Sequence, residues 1–244
     1  DQMTTQLFIG GEPRPATNNA SYEIANPARP SDLIGHAAAA SEADVDAAME
    51  AAQAALPAWA GLSVDDRAGY LRKIAEGLNA DEAETAARTR LFTREHGKTL
   101  FETNIEIGRL VDRFAQVAGF ADQISGADQI EGPRFDTMVT RKSRGVTTLI
   151  VPWNWPLAIL GSKLPQALLA GNTVVIKLSE FATLAPAMTI SRIAAMLPAG
   201  VVNLVTGDGT VIGDRLVTHP HVRQVNFTGS IRICLLYTSD AADE

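Results

Sequence analysis

The chain has almost no cysteine. Its one thiol, Cys234, excludes an intrachain disulfide, and nothing in its cysteine usage points to an oxidising compartment. Cationic residues are also scarce. Lysines and arginines number 21 against 28 acids, a net charge of -7, which argues against non-specific binding to nucleic acid or to an anionic membrane surface. Long apolar runs are missing as well. The most apolar region, 146–176, is interrupted by Pro152, Asn154, Pro156, Lys163, Pro165 and Asn172, and a membrane span does not carry such breaks. The opening residues Asp1–Gln6 hold no basic stretch followed by an apolar one, so no signal peptide is expected and the expected location is cytoplasmic. Of the four histidines only His219 and His221 are neighbours. Two histidines without a third ligand make a poor zinc site, so they are read as solvated loop residues and no metal is expected. What is present, 46% hydrophobic and 20% charged residues over 244 positions, suffices to bury a substantial core as one large domain or two small ones.

Leu7–Glu12 reads as a short strand and turn, and Tyr22–Pro27 as a strand closed by Asn-Pro. Ser41 with Asp44, and Ser63 with Asp66, form capping boxes, in which hydroxyl and acid satisfy free backbone donors reciprocally. The first opens a helix carrying Val45, Ala48, Met49, Ala52 and Leu56 at helical spacing. Pro57 is expected to end it, with Trp59 plugging its end against the next helix. The second opens a helix with Leu71, Ile74, Ala75 and Leu78 on one face. Asp81 starts a third helix that runs to about His96 and stops at Gly97, and a fourth carries Ile105, Leu110, Val111, Phe114 and Val117. Residues 125–145 change character. Gly126, Gly132 and Pro133 punctuate, and Asp136–Arg144 alternates polar with apolar, which predicts a protruding hairpin.

From Gly145 strand and helix alternate. Strands are expected at Val146–Val151, Thr173–Lys177, Val201–Val205 and Val222–Phe227, and helices at Pro156–Ala170, Ala182–Leu197 and Thr210–Thr218. Strands separated by helices imply an α/β fold, a Rossmann-like parallel sheet with helices on both faces, and such sheets bind ligands at the carboxyl ends of their strands.

Three segments lie at such ends. In Pro152-Trp153-Asn154-Trp155-Pro156 a rigid loop holds an amide, whose NH2 can donate to an oxygen that gains negative charge when a carbonyl is attacked. The alternative is a buried turn whose asparagine satisfies local backbone groups. In Gly171–Glu180 a strand ends on Lys177 and Glu180, a cation and an acid able to grip the hydroxyls of a ribose; as isolated charges they read equally as a solvated pair. Asn226-Phe227-Thr228-Gly229-Ser230 follows a strand and should open a helix whose N–H groups can receive a pyrophosphate. Gly207-Asp208-Gly209 and Gly213 mimic a nucleotide fingerprint, but glycines gather at strand-to-helix turns for steric reasons, and no phosphate role is assigned to them.

Together and in this order, the three segments resemble the aldehyde dehydrogenase family. Glu95-His96-Gly97-Lys98 is also similar to the family's Glu-x-Gly-Lys helix ending. The resemblance covers Leu7–Ile233, about the first half of the usual family length. It implies that Asn154 stabilises an oxyanion and that Pro152, Trp153, Lys177, Ser179, Glu180, Gly229 and Ser230 bind a nicotinamide cofactor. Glu180 would accept from a free 2′-hydroxyl and repel a 2′-phosphate, favouring NAD, with NADP possible. Leu178 stands where the family usually has proline, and Cys234 where it has a second glycine. The implied layout is an N-terminal helical part of the NAD-binding domain (1–124), part of an oligomerisation arm (125–145), a Rossmann-like NAD-binding core (146–233) and an unrelated tail (234–244).

The nucleophilic cysteine in its Gly-Gln-x-Cys context, the general-base glutamate and the catalytic domain have no counterpart in the sequence. The expectation is therefore a fragment, inactive alone, of an NAD-dependent enzyme that oxidises a small-molecule aldehyde to a carboxylic acid, its parent a homo-oligomer. Three alternatives remain: a non-catalytic dinucleotide-binding module, an acylating relative that passes its thioester to coenzyme A, and an interaction protein that keeps the fold without the pocket.

Overall fold

The computed structural model describes residues 3–231 and 233–235. The chain begins with short strands β1 (Met3–Thr5), β2 (Leu7–Ile9), β3 (Glu12–Arg14) and β4 (Ser21–Asn26), then the ten-residue β5 (Arg29–Ala38). Helices α1 (Glu42–Ala60), α2 (Val64–Gly77), α3 (Glu82–His96), α4 (Leu100–Ala118) and the short α5 (Ala121–Ile124) follow. A hairpin of β6 (Ala127–Ile130) and β7 (Thr137–Thr140) leads into β8 (Val146–Ile150), α6 (Pro156–Gly161), α7 (Leu164–Leu169), β9 (Thr173–Lys177), α8 (Leu184–Ala195), β10 (Val202–Val205), α9 (Gly209–Thr218) and β11 (Val222–Phe227). Among the described residues no helix is long and apolar enough to cross a membrane.

The central sheet has the order β11-β8-β9-β10-β2-β3. Its first four strands are parallel, with Val146 opposite both Thr173 and Val222, and Val174 opposite Val202. Side chains alternate between two cores. Leu149, Val151, Val174, Ile176 and Leu204 pack with α2, α4, α7 and α8, whereas Val146, Val175 and Val205 pack with α1 and α9. Helices thus cover both faces, and β8 and β9, buried along their whole length, read as near-continuous apolar runs.

Several expectations are corrected. The sheet is mixed, because the N-terminal hairpin β2–β3 joins it antiparallel, Phe8 against Leu204. Leu7, Phe8 and Ile9 are buried, so β2 covers the backbone edge that β10 would otherwise leave open. Asn203 pins this junction by accepting from Gly10 N–H at 2.9 Å and donating to Gly200 O at 2.8 Å. The N-terminal part is not purely helical either. A second sheet, β1-β5-β4, precedes α1. Its long strand β5 lacks a periodic apolar signal, and Gly35 is needed there because a Cβ would lie 2.3 Å from Met3 O on β1.

Pro57 does not end α1, which continues to Ala60 and carries the buried Trp59 edge-on against Tyr70 at 5.4 Å. Burying that indole on the core outweighs one missing backbone donor near the helix end. The capping box at Ser41 forms in full. The one at Ser63 forms only half: Ser63 Oγ accepts from Asp66 N–H, but the Asp66 carboxylate takes the Ser63 hydroxyl instead of its backbone N–H. The expected helix 156–170 is two short helices broken at Ser162–Lys163. Pro165 has no N–H for the Gly161 carbonyl, and its ring would strike that carbonyl in a continuous helix.

Candidate functional site

The carboxyl ends of β8, β9 and β11, with the start of α9, enclose a cleft of ≈ 740 Å³, larger than a second cavity of ≈ 520 Å³. The larger cleft is lined by Pro152, Trp153 and Asn154 after β8, by Lys177, Ser179 and Glu180 after β9, and by Gly229 and Ser230 after β11. Every site residue read from the sequence therefore meets at one opening. The smaller cavity lies elsewhere, between β1 and α8, and holds none of them.

Lys177 ends a fully buried strand, and its side chain is 7% exposed. Its Nζ donates to Glu180 Oε2 at 3.2 Å, and the Glu180 side chain remains one-third open, at 34%. Gly209, at the start of α9, comes so near that a Cβ there would lie 3.5 Å from Lys177 Nζ. Asp208 caps α9 by accepting from Thr210 N–H and Oγ1–H, and these bonds hold its carboxyl below the ordinary range, with Lys177 adding to the effect. Ser179 shapes the turn: its Oγ accepts from Phe181 N–H, and its carbonyl from Thr183 Oγ1–H.

After β11 the chain is tied back to β8 by Thr228 N–H to Ile150 O at 3.1 Å. A Cβ on Gly229 would sit 2.4 Å from the Phe227 ring, so the chain's own phenyl group takes the space that the glycine opens. Ser230 begins a helical turn, its carbonyl accepting from Cys234 N–H at 3.0 Å.

Asn154 is exposed at the mouth of the cleft, and its loop is held by groups that sequence reasoning did not assign to the site. Lys98 Nζ donates to Asn154 O at 2.8 Å, and the His96 ring donates from Nε2 to Trp153 O at 2.8 Å. Glu106 Oε1 accepts from Leu157 N–H at 2.7 Å and Ala158 N–H at 3.3 Å, and Glu106 Oε2 pairs with Lys98. Burial pushes the Glu106 carboxyl up, against the pull of Lys98, and burial, then Lys98, pushes the His96 imidazole down. Glu95 is deeper still. Its carboxylate accepts from the N–H groups of Thr183 (3.1 Å), Leu184 (2.6 Å) and Ala185 (2.7 Å) at the start of α8, while burial raises its pKa to about 7. A signal for Glu106 was present: it sits in the buried stripe Thr103, Glu106, Ile107, Leu110, Phe114, Val117, an acid where an apolar residue is due.

The histidine pair differs from expectation. His219 is buried, accepts from His221 N–H at Nδ1 and lies 3.6 Å from Asp46, while His221 reaches Glu50 at 3.0 Å. A loop that packs on α1 desolvates one ring, and burial lowers the His219 pKa. Among the described residues no group of three histidine, cysteine or acidic side chains converges to hold a metal ion.

A cleft at the carboxyl end of a parallel sheet, with a paired lysine and acid at a strand end, is where α/β proteins take their ligands. Comparison with known proteins narrows this. Residues 14–243 match the Aldehyde dehydrogenase family. The chain is 38% identical over 240 residues to an alpha-ketoglutaric semialdehyde dehydrogenase of Bacillus subtilis, covering 96% of this chain and 48% of that protein. It is 36% identical over 231 residues to the succinate-semialdehyde dehydrogenase [NADP(+)] GabD of Escherichia coli, covering 93% and 47%. The crystal structure of PnpE in complex with nicotinamide adenine dinucleotide superposes with a TM-score of 0.90 at 33% identity, covering 98% of this chain and 49% of that one. The chain belongs to the aldehyde dehydrogenase family, and it spans about half the length of the curated relatives it matches. The family match runs past Ile233, where the resemblance read from the residues stops; of the tail expected to be unrelated, residues 236–244 lie outside the described residues.

Proposed function

We propose that the cleft binds a nicotinamide dinucleotide, and that the whole protein uses it to oxidise a small-molecule aldehyde to a carboxylic acid. The observation that carries this reading is the convergence of Asn154, Lys177, Glu180, Gly229 and Ser230 on one cavity. The residues suit the group. A buried ammonium beside a one-third-open carboxylate matches a ribose diol, and the glycine at 209 leaves room next to that ammonium. Lys177 and Glu180 would hold the adenosine ribose, with Ser179 shaping their turn. Pro152 and Trp153 would wall the cleft, and Gly229 and Ser230 would meet the pyrophosphate. When bound, the dinucleotide supplies the hydride acceptor. Asn154 would donate its amide N–H to the aldehyde oxygen as negative charge builds there.

NAD is the favoured cofactor, since the Glu180 carboxylate accepts from a 2′-hydroxyl and repels a 2′-phosphate. NADP use is a second reading, supported by the cofactor in the name of the GabD relative. These 244 residues bind the dinucleotide without turnover, because their only thiol, Cys234, stands in an Arg-Ile-Cys-Leu context unlike that of the family's nucleophile. The exposed hairpin β6–β7 serves as part of an oligomerisation arm, and the protein works in the cytoplasm.

Calorimetric titration of the chain with NAD tests the reading. Saturable binding is expected, weakened at least about tenfold by Lys177→Met, and NADP is expected to bind less tightly than NAD unless Glu180 is changed to serine. A chain that is folded yet binds neither dinucleotide overturns the proposal; NADH fluorescence growing with any aldehyde overturns the claim of no turnover.

A further inference from the structure

The tetrapeptide Glu95-His96-Gly97-Lys98 closes α3, outside the cleft, yet it reaches both of the cleft's long walls. On one side Glu95 accepts three consecutive N–H groups, those of Thr183, Leu184 and Ala185. That anchors the segment running from Lys177 through Ser179 and Glu180 into α8. On the other side His96 donates to Trp153 O and Lys98 donates to Asn154 O. Glu106, paired with Lys98, takes the two N–H groups that follow the loop, at Leu157 and Ala158. Gly97 makes the reversal possible by adopting φ 85°, which lets residues on either side of it face different walls.

The walls have little else to set their spacing. The last ladder bond between them runs from Val151 N–H to Lys177 O at 3.3 Å. Beyond it, among the described residues, no hydrogen bond joins 152–156 to 178–183. A separate cavity of ≈ 420 Å³ lies between Trp153 and Phe181, with Glu95 and His96 in its lining. Lys98 is itself fixed, 4.6 Å from the centre of the Trp155 ring and 4.9 Å from that of Phe92.

We propose that Glu95, Lys98 and Glu106 are positioning residues: through the 95–98 segment they set the two walls of the cleft independently, Glu95 the Lys177–Glu180 wall and the Lys98–Glu106 pair the Asn154 wall. The proposal rests on the cleft being a dinucleotide site with the adenosine end on Lys177 and Glu180. AMP would then sense one wall and NAD both.

The test is calorimetric titration of the 244-residue chain and its variants with AMP and with NAD. In Lys98→Met/Glu106→Leu both buried charges are removed together, so neither is left unpaired. This variant should bind AMP within about twofold of wild type but lose about tenfold or more in NAD affinity. Glu95→Ala should weaken AMP and NAD in parallel. A merely structural role predicts parallel losses in both variants, and that result overturns the proposal, as does unchanged NAD binding in the double variant. If circular dichroism shows the double variant unfolded, Lys98→Met/Glu106→Gln, which keeps an acceptor for the Leu157 and Ala158 N–H groups, replaces it, with NAD weakened about threefold and AMP unchanged; equal effects on both ligands, or none, overturn the proposal. Wild-type chain that binds neither AMP nor NAD brings down the reading of the cleft itself, whereas binding of both with no split among the variants brings down only the positioning role.

Discussion

The hairpin strands β6 and β7 and the sheet strands β8 and β9 are similar in length, yet they cohere by opposite means. Every residue of β6 and β7 is exposed, and every residue of β8 and β9 is buried. The hairpin rests on cross-strand pairs from Ala127–Thr140 to Ile130–Thr137 and on an exposed Arg141–Asp128 ion pair at 2.7 Å. Both are weak in water, and an isolated two-stranded ribbon is marginal. The sheet strands are packed on both faces, so their ends cannot shift without disturbing the core. That difference explains where aimed side chains are found. Lys177 and the Asn154 loop extend from buried strands, while the hairpin offers only surface, with Phe135 and Met138 largely exposed.

The comparison breaks most clearly in β9. Ile176→Ala removes a fully buried side chain and should cost about 2–5 kcal/mol, measured by urea unfolding, with dinucleotide binding lost alongside. A loss under half the lower figure would mean that β9 is not the rigid support described. Next in size is a pH effect at Glu95. Its folded pKa of about 7 lies above the ordinary 4.5, so the folded state holds a proton that the unfolded chain releases. The associated stability is complete below the ordinary value and is lost as pH rises through about 7, up to about 3 kcal/mol. Unfolding curves on the two sides of that window should therefore diverge for wild type and converge for Glu95→Gln. A wild-type chain that gains stability over the same rise contradicts the assignment.

The junction of the two regions comes third. Asn172 Oδ1 accepts from Arg144 N–H at 2.7 Å and Gly145 N–H at 3.0 Å, tying the base of the hairpin to the start of β9. Asn172→Ala leaves these donors without their acceptor and should cost about 1–3 kcal/mol, with faster amide exchange at 144 and 145. The smallest effect is expected within the hairpin. Arg141→Ala should change stability by less than about 0.5 kcal/mol and leave NAD binding untouched; a larger change would show that the ribbon is coupled to the core.

Much of this was legible in the residues. The strands at Thr173–Lys177 and Val222–Phe227 have the boundaries expected from their residues, one an apolar run and the other a mixed polar and apolar stretch. The start of α1 at Ser41, and of α3 at Asp81 with its stop at Gly97, follow from local capping chemistry. The motif segments announced which residues would meet, because a parallel α/β sheet gathers the ends of its strands on one edge.

What only the tertiary structure decided is non-local. Strand β2 had no partner in the reading of its own residues and found one on β10, nearly the whole chain away, because burying Leu7–Ile9 required a sheet edge. Strand β5 has too little periodicity to announce itself and depends on pairing with β1 and β4. Glu95 stands out only as part of a helix ending and Glu106 only as an acid in an apolar stripe; their partners, the N–H groups of residues 183–185 and 157–158, come with the fold. Periodicity and capping are written over a few residues, so a sequence states them directly. The partner of a buried charge is chosen by the packing of elements far apart in the chain, and it becomes visible only once they have met.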